Sequence, residues 1–438
     1  MTRVQSAFYH VFIIAVLAAW APSKLLPYLV PFFGLSWLIL WGRKRIFMYR
    51  LILLGVVWVA SITIGVISNR DFVLQNAIIS FVTYGTFYIP FIVPSRYLYN
   101  PVLYQKIAFV LLIVIALEAP IGIAQATYGF LQNGTFDIAN GDRVQGTINL
   151  SFSPSGNASN RIFATNMALA LIAVVPYIFL FRKWRKWLFL AGAAALVLAS
   201  VVHILYFLII SMVLALLVYH PEALLKSRRQ ISLLITIVLI FMCAWFLLPN
   251  NMQLVQTHFQ QIRNNQNPKM ILLSRIINEV PKQYPASLII GLGPGQFASR
   301  AGLISTGMYF GGPLDPKPLP LISPSVTPAI GDYLMDLWLW VVQLKRPAGS
   351  SLRPFSSWLA MLSEFGLMGF MLIAICVWII ITRKVPRGSY DRMWAFSFVT
   401  GVTFLFLIGI QEFYWETPQM LLPGVLALKA MHAQQLAS

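Results

Sequence analysis

The sequence predicts an all-α polytopic membrane protein with about 12 transmembrane helices and one large external loop between helices 9 and 10. Hydrophobic residues make up 58% of the chain and charged residues only 10%, and the mean hydropathy is +0.75. Apolar runs of about 20 residues recur, and each is long enough to cross a hydrocarbon core ~30 Å thick as a helix. Because the backbone must satisfy its own hydrogen bonds in that core, a helical bundle is the expected fold.

The apolar runs give the order of the predicted spans. Only Arg3 precedes the first run and no cleavable signal peptide is evident, so we interpret that run as a retained span. The predicted spans are 8–20, 25–42, 48–67, 73–93, 107–128, 161–181, 187–201, 203–219, 231–248, 355–382, 393–411 and 417–431.

Two of these boundaries rest on specific residues. Pro22, Lys24 and Pro27 interrupt residues 8–42 and predict a helical hairpin. Residues 187–219 have no such break, but as one helix they would measure ~50 Å, well beyond one hydrocarbon core. We therefore predict a turn near Ser200–His203, with one long tilted helix as the alternative.

The distribution of charge predicts the orientation of the chain. With 12 spans and both termini in the cytoplasm, the inside segments and adjoining span ends hold 19 basic residues and two acidic ones, Glu222 and Asp391. This segregation follows the positive-inside rule and accounts for most of the net charge of +19 without a nucleic-acid partner. The predicted location is the cell inner (cytoplasmic) membrane, with residues 129–160 and 249–353 external.

The prediction divides the chain into 1–248 (helices 1–9), an external, periplasmic segment 249–353 and 354–438 (helices 10–12). Within the external segment, helical spacing occurs at 254–263 and 270–280, whereas six prolines exclude a regular element from 311–328. Residues 332–345 read as an interfacial helix anchored by Trp338 and Trp340.

Known cofactor and metal motifs are missing from the sequence. It has no HExxH, Walker loop, CxxC or Asp-x-Asp pattern, so no metal and no cofactor are predicted. Gly291–Gly295 (Gly-Leu-Gly-Pro-Gly) has the glycines of a dinucleotide loop, but Pro294 interrupts it and no βαβ unit surrounds it. On its residues alone this stretch is a turn.

Three stretches resemble the O-antigen ligase/polymerase family. They are Arg143-Val-Gln-Gly-Thr147, Gly291-Leu-Gly-Pro-Gly-Gln-Phe297, and Ser357-Trp-Leu-Ala-Met-Leu-Ser-Glu-Phe-Gly-Leu-Met-Gly369 at the start of a span. Their order is similar to the order in that family, as are the span number and the place of the long loop. The three stretches and the matching arrangement of spans together cover about two thirds of the chain.

The resemblance implies a metal-independent glycosyltransferase acting outside the cytoplasmic membrane in surface polysaccharide (O-antigen or exopolysaccharide) synthesis. Its partners would be a polyprenyl-diphosphate-linked glycan, membrane lipid, and a flippase and chain-length regulator of the same pathway. Without a metal ion, arginines must meet the charge of the diphosphate. The predicted substrate-binding residues are Arg143, Arg161, Arg275, Arg300 and Arg353, each with the alternative of a solvated surface arginine.

The predicted catalytic residues are Arg300 and Glu364. A carboxylate about nine residues inside a span is costly and commonly functional, so Glu364 could position or deprotonate an acceptor hydroxyl. The alternative is a hydrogen-bonded residue that orients the returning loop. Glu118, beside Pro120, is interpreted as a structural partner for the backbone freed at a kink.

Two departures from the family bear on the reaction. The ligases carry a His about nine residues before the Glu, and this place holds Phe355 and Ser356 here; their Ser-Arg pair near span eight reads Ser200-Val201. These departures count against lipid A–core ligase chemistry and leave polymerase activity open. The alternatives are a ligase, a transporter or flippase for polysaccharide or lipid-linked oligosaccharide, and an inactive assembly scaffold, although no 6+6 internal repeat supports a transporter.

Overall fold

The computed structural model of this chain has only helices as regular secondary structure in the part that it describes. That part comprises residues 1–42, 44–136, 143–150, 152, 159–181, 185–219, 242, 246, 253, 256–257, 260–320, 322–343, 353–382 and 389–435. Five of the described helices are long and apolar enough to cross a membrane: Arg3–Trp20, Arg45–Ser68, Pro101–Asn133, Ser159–Ile178 and Ser357–Ile380.

The first nine helices form most of the apolar bundle. They are α1 Arg3–Trp20, α2 Leu26–Gly42, α3 Arg45–Ser68, α4 Leu74–Thr83, α5 Tyr88–Ile92, α6 Pro101–Asn133, α7 Ser159–Phe181, α8 Arg185–Leu198 and α9 Val202–Tyr219.

The remaining described helices include seven short ones and three long ones. They are α10 Pro268–Asn278, α11 Val280–Gln283, α12 Ser287–Ile290, α13 Arg300–Ser305, α14 Met308–Gly311, α15 Pro328–Tyr333, α16 Met335–Gln343, α17 Ser357–Thr382, α18 Ser389–Ile408 and α19 Pro418–Gln435. A helix lies over each predicted span except 231–248, of which the structure describes only Met242 and Phe246.

The span predicted at 73–93 is not one helix. It consists of α4, a 3-10 turn over Tyr84–Phe87 and α5, and we call residues 74–92 the broken span. Pro90 lacks the N–H that would continue the α-helical bonding, and Gly85 adds a flexible residue just before it. Irregular backbone at membrane depth is tolerated where protein buries it, and Tyr84, Gly85 and Thr86 are all buried.

The break predicted near Ser200–His203 is present. Helix α8 ends at Leu198 and α9 begins at Val202, with Ser200 in the left-handed region at φ 60°. The two helices then pack on different neighbours, α8 on α6 and α9 on α18. A single helix over 187–219 is therefore excluded.

The residues that the structure describes form two hydrophobic cores. The larger lies within the bundle, where α7 and α19 are nearly surrounded, whereas α3 and most of α17 keep broad apolar faces exposed. The smaller is formed by the segment after Pro268 and includes Leu272, Ile330 and Phe355. The predicted external segment thus supplies most of this core and shares it with Phe355, Leu359 and Phe413 from the part that follows.

Trp338 belongs to this smaller core, which corrects its predicted role as an interfacial anchor. It is 8% exposed and meets the Phe355 ring edge-on at 5.0 Å between centroids. Burial in an aromatic cluster offers the apolar indole more contact than the membrane interface would. Trp340, two residues on, is the one of the pair that remains exposed.

The connections between helices collect at two ends of the bundle. At one end the Asn100 side chain donates to the Gln5 side chain of α1. The main-chain carbonyl oxygen of Asn100 accepts from the Gln434 side chain of α19. At the other end Asp71, from the turn after α3, accepts from the Tyr284 hydroxyl at 3.0 Å. The N-terminal end of α1 and the C-terminal end of α19 therefore lie together, away from the contact of Asp71 with Tyr284.

Candidate functional site

The glycine turn, Gly291–Phe297, is held against the start of α17 by Glu364. One carboxylate oxygen of Glu364 accepts from the Gly295 amide at 2.7 Å and the other from the Phe297 amide at 3.1 Å. The Gly293 amide also donates to the Glu364 carbonyl oxygen at 2.9 Å. Two of the stretches that carry the family resemblance are thus in direct contact.

Glycine is required at this contact by space and by conformation. Gly291 has φ +81°, and a Cβ there would lie 2.2 Å from the Glu364 carbonyl oxygen. Gly366, at φ +66°, kinks α17, and a Cβ there would lie 2.3 Å from the Ile289 carbonyl oxygen. Only glycine adopts such backbone easily while letting two main chains approach so closely. The sequence identified this turn but not its partner.

Glu364 is 1% exposed, and both of its oxygens are occupied by backbone amides. To take a proton from an acceptor hydroxyl, it would have to release the turn that it holds. Of the two interpretations open from the sequence, the geometry favours the residue that orients the loop.

A second buried carboxylate, Glu416, lies beside Arg300. Its Oε2 accepts from the Arg300 amide at 2.8 Å, and the Arg300 guanidinium donates to the Thr417 hydroxyl. The Glu416 Oε1 and the Arg300 Nε are both buried without a hydrogen-bond partner among the described residues. Such atoms are rare in folded proteins, so both are available to bind a polar group.

Aromatic and hydroxyl groups surround this pair. The Arg300 guanidinium lies over the Tyr309 ring at 4.3 Å and the Tyr28 ring at 5.8 Å. From the broken span, Thr83 reaches Glu416 at 3.5 Å, and the Tyr84 hydroxyl is buried without a described partner within electrostatic range of Glu416. Aromatic faces beside polar atoms without described partners suit a sugar ring, and the Arg300 guanidinium suits a phosphate.

Glu416 lies in the connection between α18 and α19, and its surroundings change its acidity. Burial, together with the negative charge of Glu364, raises the pKa of Glu416 to about 8, although Arg300 acts in the opposite direction. A carboxylate with a pKa near neutrality can accept and release a proton under ordinary conditions. Glu416 therefore has the properties of a general base, which the sequence reasoning did not assign to it.

Three cations surround a third carboxylate, Glu412, and together they form the Glu412 cluster. Arg161, at the start of α7, contacts one oxygen, and Arg353 lies 3.6 Å from the other. The Lys269 ammonium donates to the Arg353 carbonyl oxygen at 2.8 Å. Two arginines and a lysine thus lie around one described carboxylate, which gives the cluster a net positive charge.

The pKa shifts in this cluster agree with its geometry. Burial would raise the pKa of Glu412, but Arg161, Arg353 and Lys269 together hold it at about 2. Burial lowers the pKa of Lys269 to about 7 against the opposing effect of Glu412. An additional anion would favour the protonated form of Lys269 and would itself be bound more strongly.

The predicted substrate-binding arginines separate into two groups. Arg161, Arg300 and Arg353 lie around the connection that carries Glu412 and Glu416. Arg275 instead forms a two-pronged ion pair with Asp336, with N–O distances of 2.7 and 2.8 Å, so its guanidinium is occupied. Arg143 lies against Gly129, and its described side-chain bond goes to Gln132 at 3.4 Å.

The Arg143–Thr147 stretch is clamped onto α6 by Glu118 and Gln125. Glu118 accepts from the amide and the hydroxyl of Thr147, and Gln125 accepts from the Gly146 amide at 2.9 Å. The sequence predicted that Glu118 would bond the backbone freed at the Pro120 kink, whereas in the structure it bonds Thr147. Its structural role stands.

Glu412 and Glu416 were missed because the five residues 412–416 read as a short connection between two spans. Two carboxylates four residues apart among three aromatic residues were the available signal. Lys269 gave no signal of its own, because only the fold brings it near Arg353.

Comparison with protein-family models, with curated proteins and with solved structures finds no match to this chain. The geometry of the site and the resemblance of the three stretches therefore carry the functional argument.

Proposed function

We propose that this protein is a membrane-embedded glycosyltransferase that polymerises or transfers oligosaccharide units linked to polyprenyl diphosphate. In this proposal it spans the cytoplasmic membrane about 12 times and works on the outer side, using no metal ion. The single observation that carries the proposal is the buried pair Arg300 and Glu416, each with an unpartnered polar atom, beside the glycine turn.

Each part of the site supplies one requirement of the reaction. The acceptor hydroxyl attacks the anomeric carbon of the donor sugar, and its proton passes to Oε1 of Glu416. The bond from that carbon to the diphosphate oxygen breaks, and the electron pair leaves with the polyprenyl diphosphate. Arg300 and the cations of the Glu412 cluster stabilise the negative charge of the leaving group.

Glu364 is a positioning residue in this account. Its two bonds fix the glycine turn, which runs directly into Ser299 and Arg300 at the N-terminus of α13. Fixing the backbone ahead of Arg300 orients the guanidinium before the substrate arrives. Preorganised charge of this kind is commonly the largest contribution to transition-state stabilisation.

Polymerase chemistry is favoured over ligase chemistry by the surroundings of Phe355. Its ring stacks on Phe413 at 5.1 Å and meets Trp338 at 5.0 Å, so the place of the ligase histidine is filled by an apolar aromatic cluster. No titratable group of residue 355 is available to activate an acceptor. Glu416 takes that part in the proposal.

The test is polymer formation by purified protein from lipid-linked repeat units. Glu416→Gln keeps an acceptor for the Arg300 amide but cannot take a proton, so we expect a loss of about 10²–10⁴-fold in turnover at normal abundance. Glu279→Gln, an exposed carboxylate in the external segment, is the matched control and should match the wild type. Normal turnover by Glu416→Gln would remove the general base from this account.

A further inference from the structure

A basic cavity lies at the opposite end of the bundle from the Arg300 site. It has a volume of about 460 Å³ and is lined by Ile46, Arg50, Pro94, Ser95, Arg96, Lys429 and His432. Among the residues that the structure describes, no aspartate or glutamate lines it. Two arginines, a lysine and a histidine therefore share one cavity that no described carboxylate lines.

The hydrogen bonds of these groups leave much of their donor capacity unused. Arg50 donates one bond, to the Phe91 carbonyl oxygen at 2.8 Å, and Arg96 lies over the Tyr97 ring at 5.1 Å. The half-buried Lys429 ammonium has no described hydrogen bond or ion pair. Like charges that share one cavity repel one another, and a bound anion offsets that repulsion, so the cavity is suited to an anion.

The surroundings of the cavity indicate where the anion comes from. Arg50 lies one turn inside α3, and the same helix exposes Ile52, Leu53, Val56 and Val57. An apolar helix with so much exposed surface faces lipid, so the cavity lies at the depth where lipid headgroups meet acyl chains. Basic pockets between spans on the cytoplasmic side are a recognised setting for acidic lipid headgroups.

Ser95 and His432 close the polar side of the cavity. The Ser95 hydroxyl lies 3.0 Å from Nδ1 of His432, and the His432 ring stacks on Phe398 at 5.0 Å. These contacts hold the imidazole in place beside Lys429, one turn earlier on α19. Hydroxyl, imidazole and cationic groups together form a phosphate-binding set.

We propose that this cavity binds the phosphate headgroup of an anionic phospholipid from the membrane leaflet on that side. The lipid would enter laterally along α3, with its phosphate between Arg50, Arg96 and Lys429. The site is separate from the proposed transfer reaction and does not depend on it.

Native mass spectrometry of the purified full chain tests the proposal. With phosphatidylglycerol and phosphatidylethanolamine supplied together, we expect the wild type to retain one phosphatidylglycerol preferentially. Lys429→Gln and Arg50→Gln should each weaken that retention by about fivefold, and Lys429→Arg should restore most of it. Lys106→Gln is the control, since that lysine is exposed at the same end and lies over the Tyr9 ring outside the cavity.

A second arm separates a lipid from a soluble anion. Inorganic phosphate or diphosphate at millimolar concentration should not displace the retained phosphatidylglycerol. Equal retention of the two lipids by the wild type would overturn the proposal without any variant. Binding of inorganic phosphate without preference for phosphatidylglycerol would overturn the lipid assignment.

Discussion

At the residue scale, the raised pKa of Glu416 predicts how the transfer rate depends on pH. Its pKa of about 8 lies above the ordinary value of 4.5, so the proton-accepting form grows as pH rises through 8. Through Glu416 alone, transfer by the wild type should therefore rise about tenfold between pH 7 and pH 9, and Glu416→Gln should lack that rise. Deprotonation of Lys269, whose pKa is about 7, affects both proteins alike. Rates measured at saturating donor across this range would check it.

The same shift predicts the effect on stability. Because folding disfavours the charged form of Glu416, the folded state loses stability as pH rises from about 4.5 through 8. Glu416→Gln removes that loss and should raise the melting temperature at pH 9 relative to the wild type. A lower melting temperature at pH 9 would instead indicate a mainly structural residue.

Glu364→Gln should lower stability, in contrast to Glu416→Gln. A glutamine there keeps one acceptor oxygen but turns an N–H donor toward the amide of Gly295 or Phe297, which leaves a buried donor unsatisfied. We expect Glu364→Gln to lower stability by roughly 1–3 kcal/mol, with protein abundance falling alongside polymer formation. Thermal unfolding in detergent, with abundance in membranes, measures both; lost turnover at wild-type stability would return Glu364 to the chemistry.

At the element scale, the glycine turn should tolerate no side chain. Gly291→Ala places a Cβ against the backbone of Glu364 and requires a left-handed conformation that alanine avoids. We expect a destabilisation of at least about 1–3 kcal/mol from the backbone conformation alone, and protease sensitivity in the external segment. Gly331→Ala is the control, because open space surrounds Gly331 and its φ is ordinary.

Comparison of the predicted and observed helices shows which features the sequence pattern could predict. Hydropathy predicted the apolar helices because burial in lipid requires long apolar runs. The ~50 Å length of a single helix over 187–219, together with the basic clusters on either side of it, predicted the break near Ser200. The broken span was missed, because Pro90 and Gly85 sit in a run whose mean hydropathy still looks continuous. The ion pair of Arg275 with Asp336 was also missed, since it joins α10 to α16 through the fold of the external segment.

The site could be predicted only in part for the same reason. Arg300 and the glycine turn were identifiable because their residue types and spacing carry chemistry locally. Glu412, Glu416 and Lys269 come together only through tertiary contacts between the external segment and the connection from α18 to α19. Spacing along one sequence cannot show such contacts.

At the scale of the whole molecule, the distribution of charge predicts which end of the bundle faces the cytoplasm. In a variant without Cys243 and Cys376, a cysteine at Lys317 should label from outside, and one at Lys106 only after the membrane is opened. Both side chains are exposed, so each should react where reagent reaches it. Labelling of both from the same side would contradict the orientation inferred from the 19 basic and two acidic residues.

The proposed function depends most on Arg300, which we propose stabilises the diphosphate leaving group. The most direct measurement is the rate of polymer formation from purified lipid-linked repeat units by Arg300→Ala and Arg300→Lys at matched abundance. A charge-assisted bond is worth roughly 1.5–3 kcal/mol, so we expect Arg300→Ala to lose about ten- to a hundredfold in transfer efficiency. Arg300→Lys should recover only part, because an ammonium keeps the charge and loses the fork. Lys317→Ala, in an exposed pair with Asp315 at 3.4 Å, should match the wild type. A wild-type rate for Arg300→Ala, or movement of the lipid-linked glycan across the membrane with no polymer formed, would contradict the account.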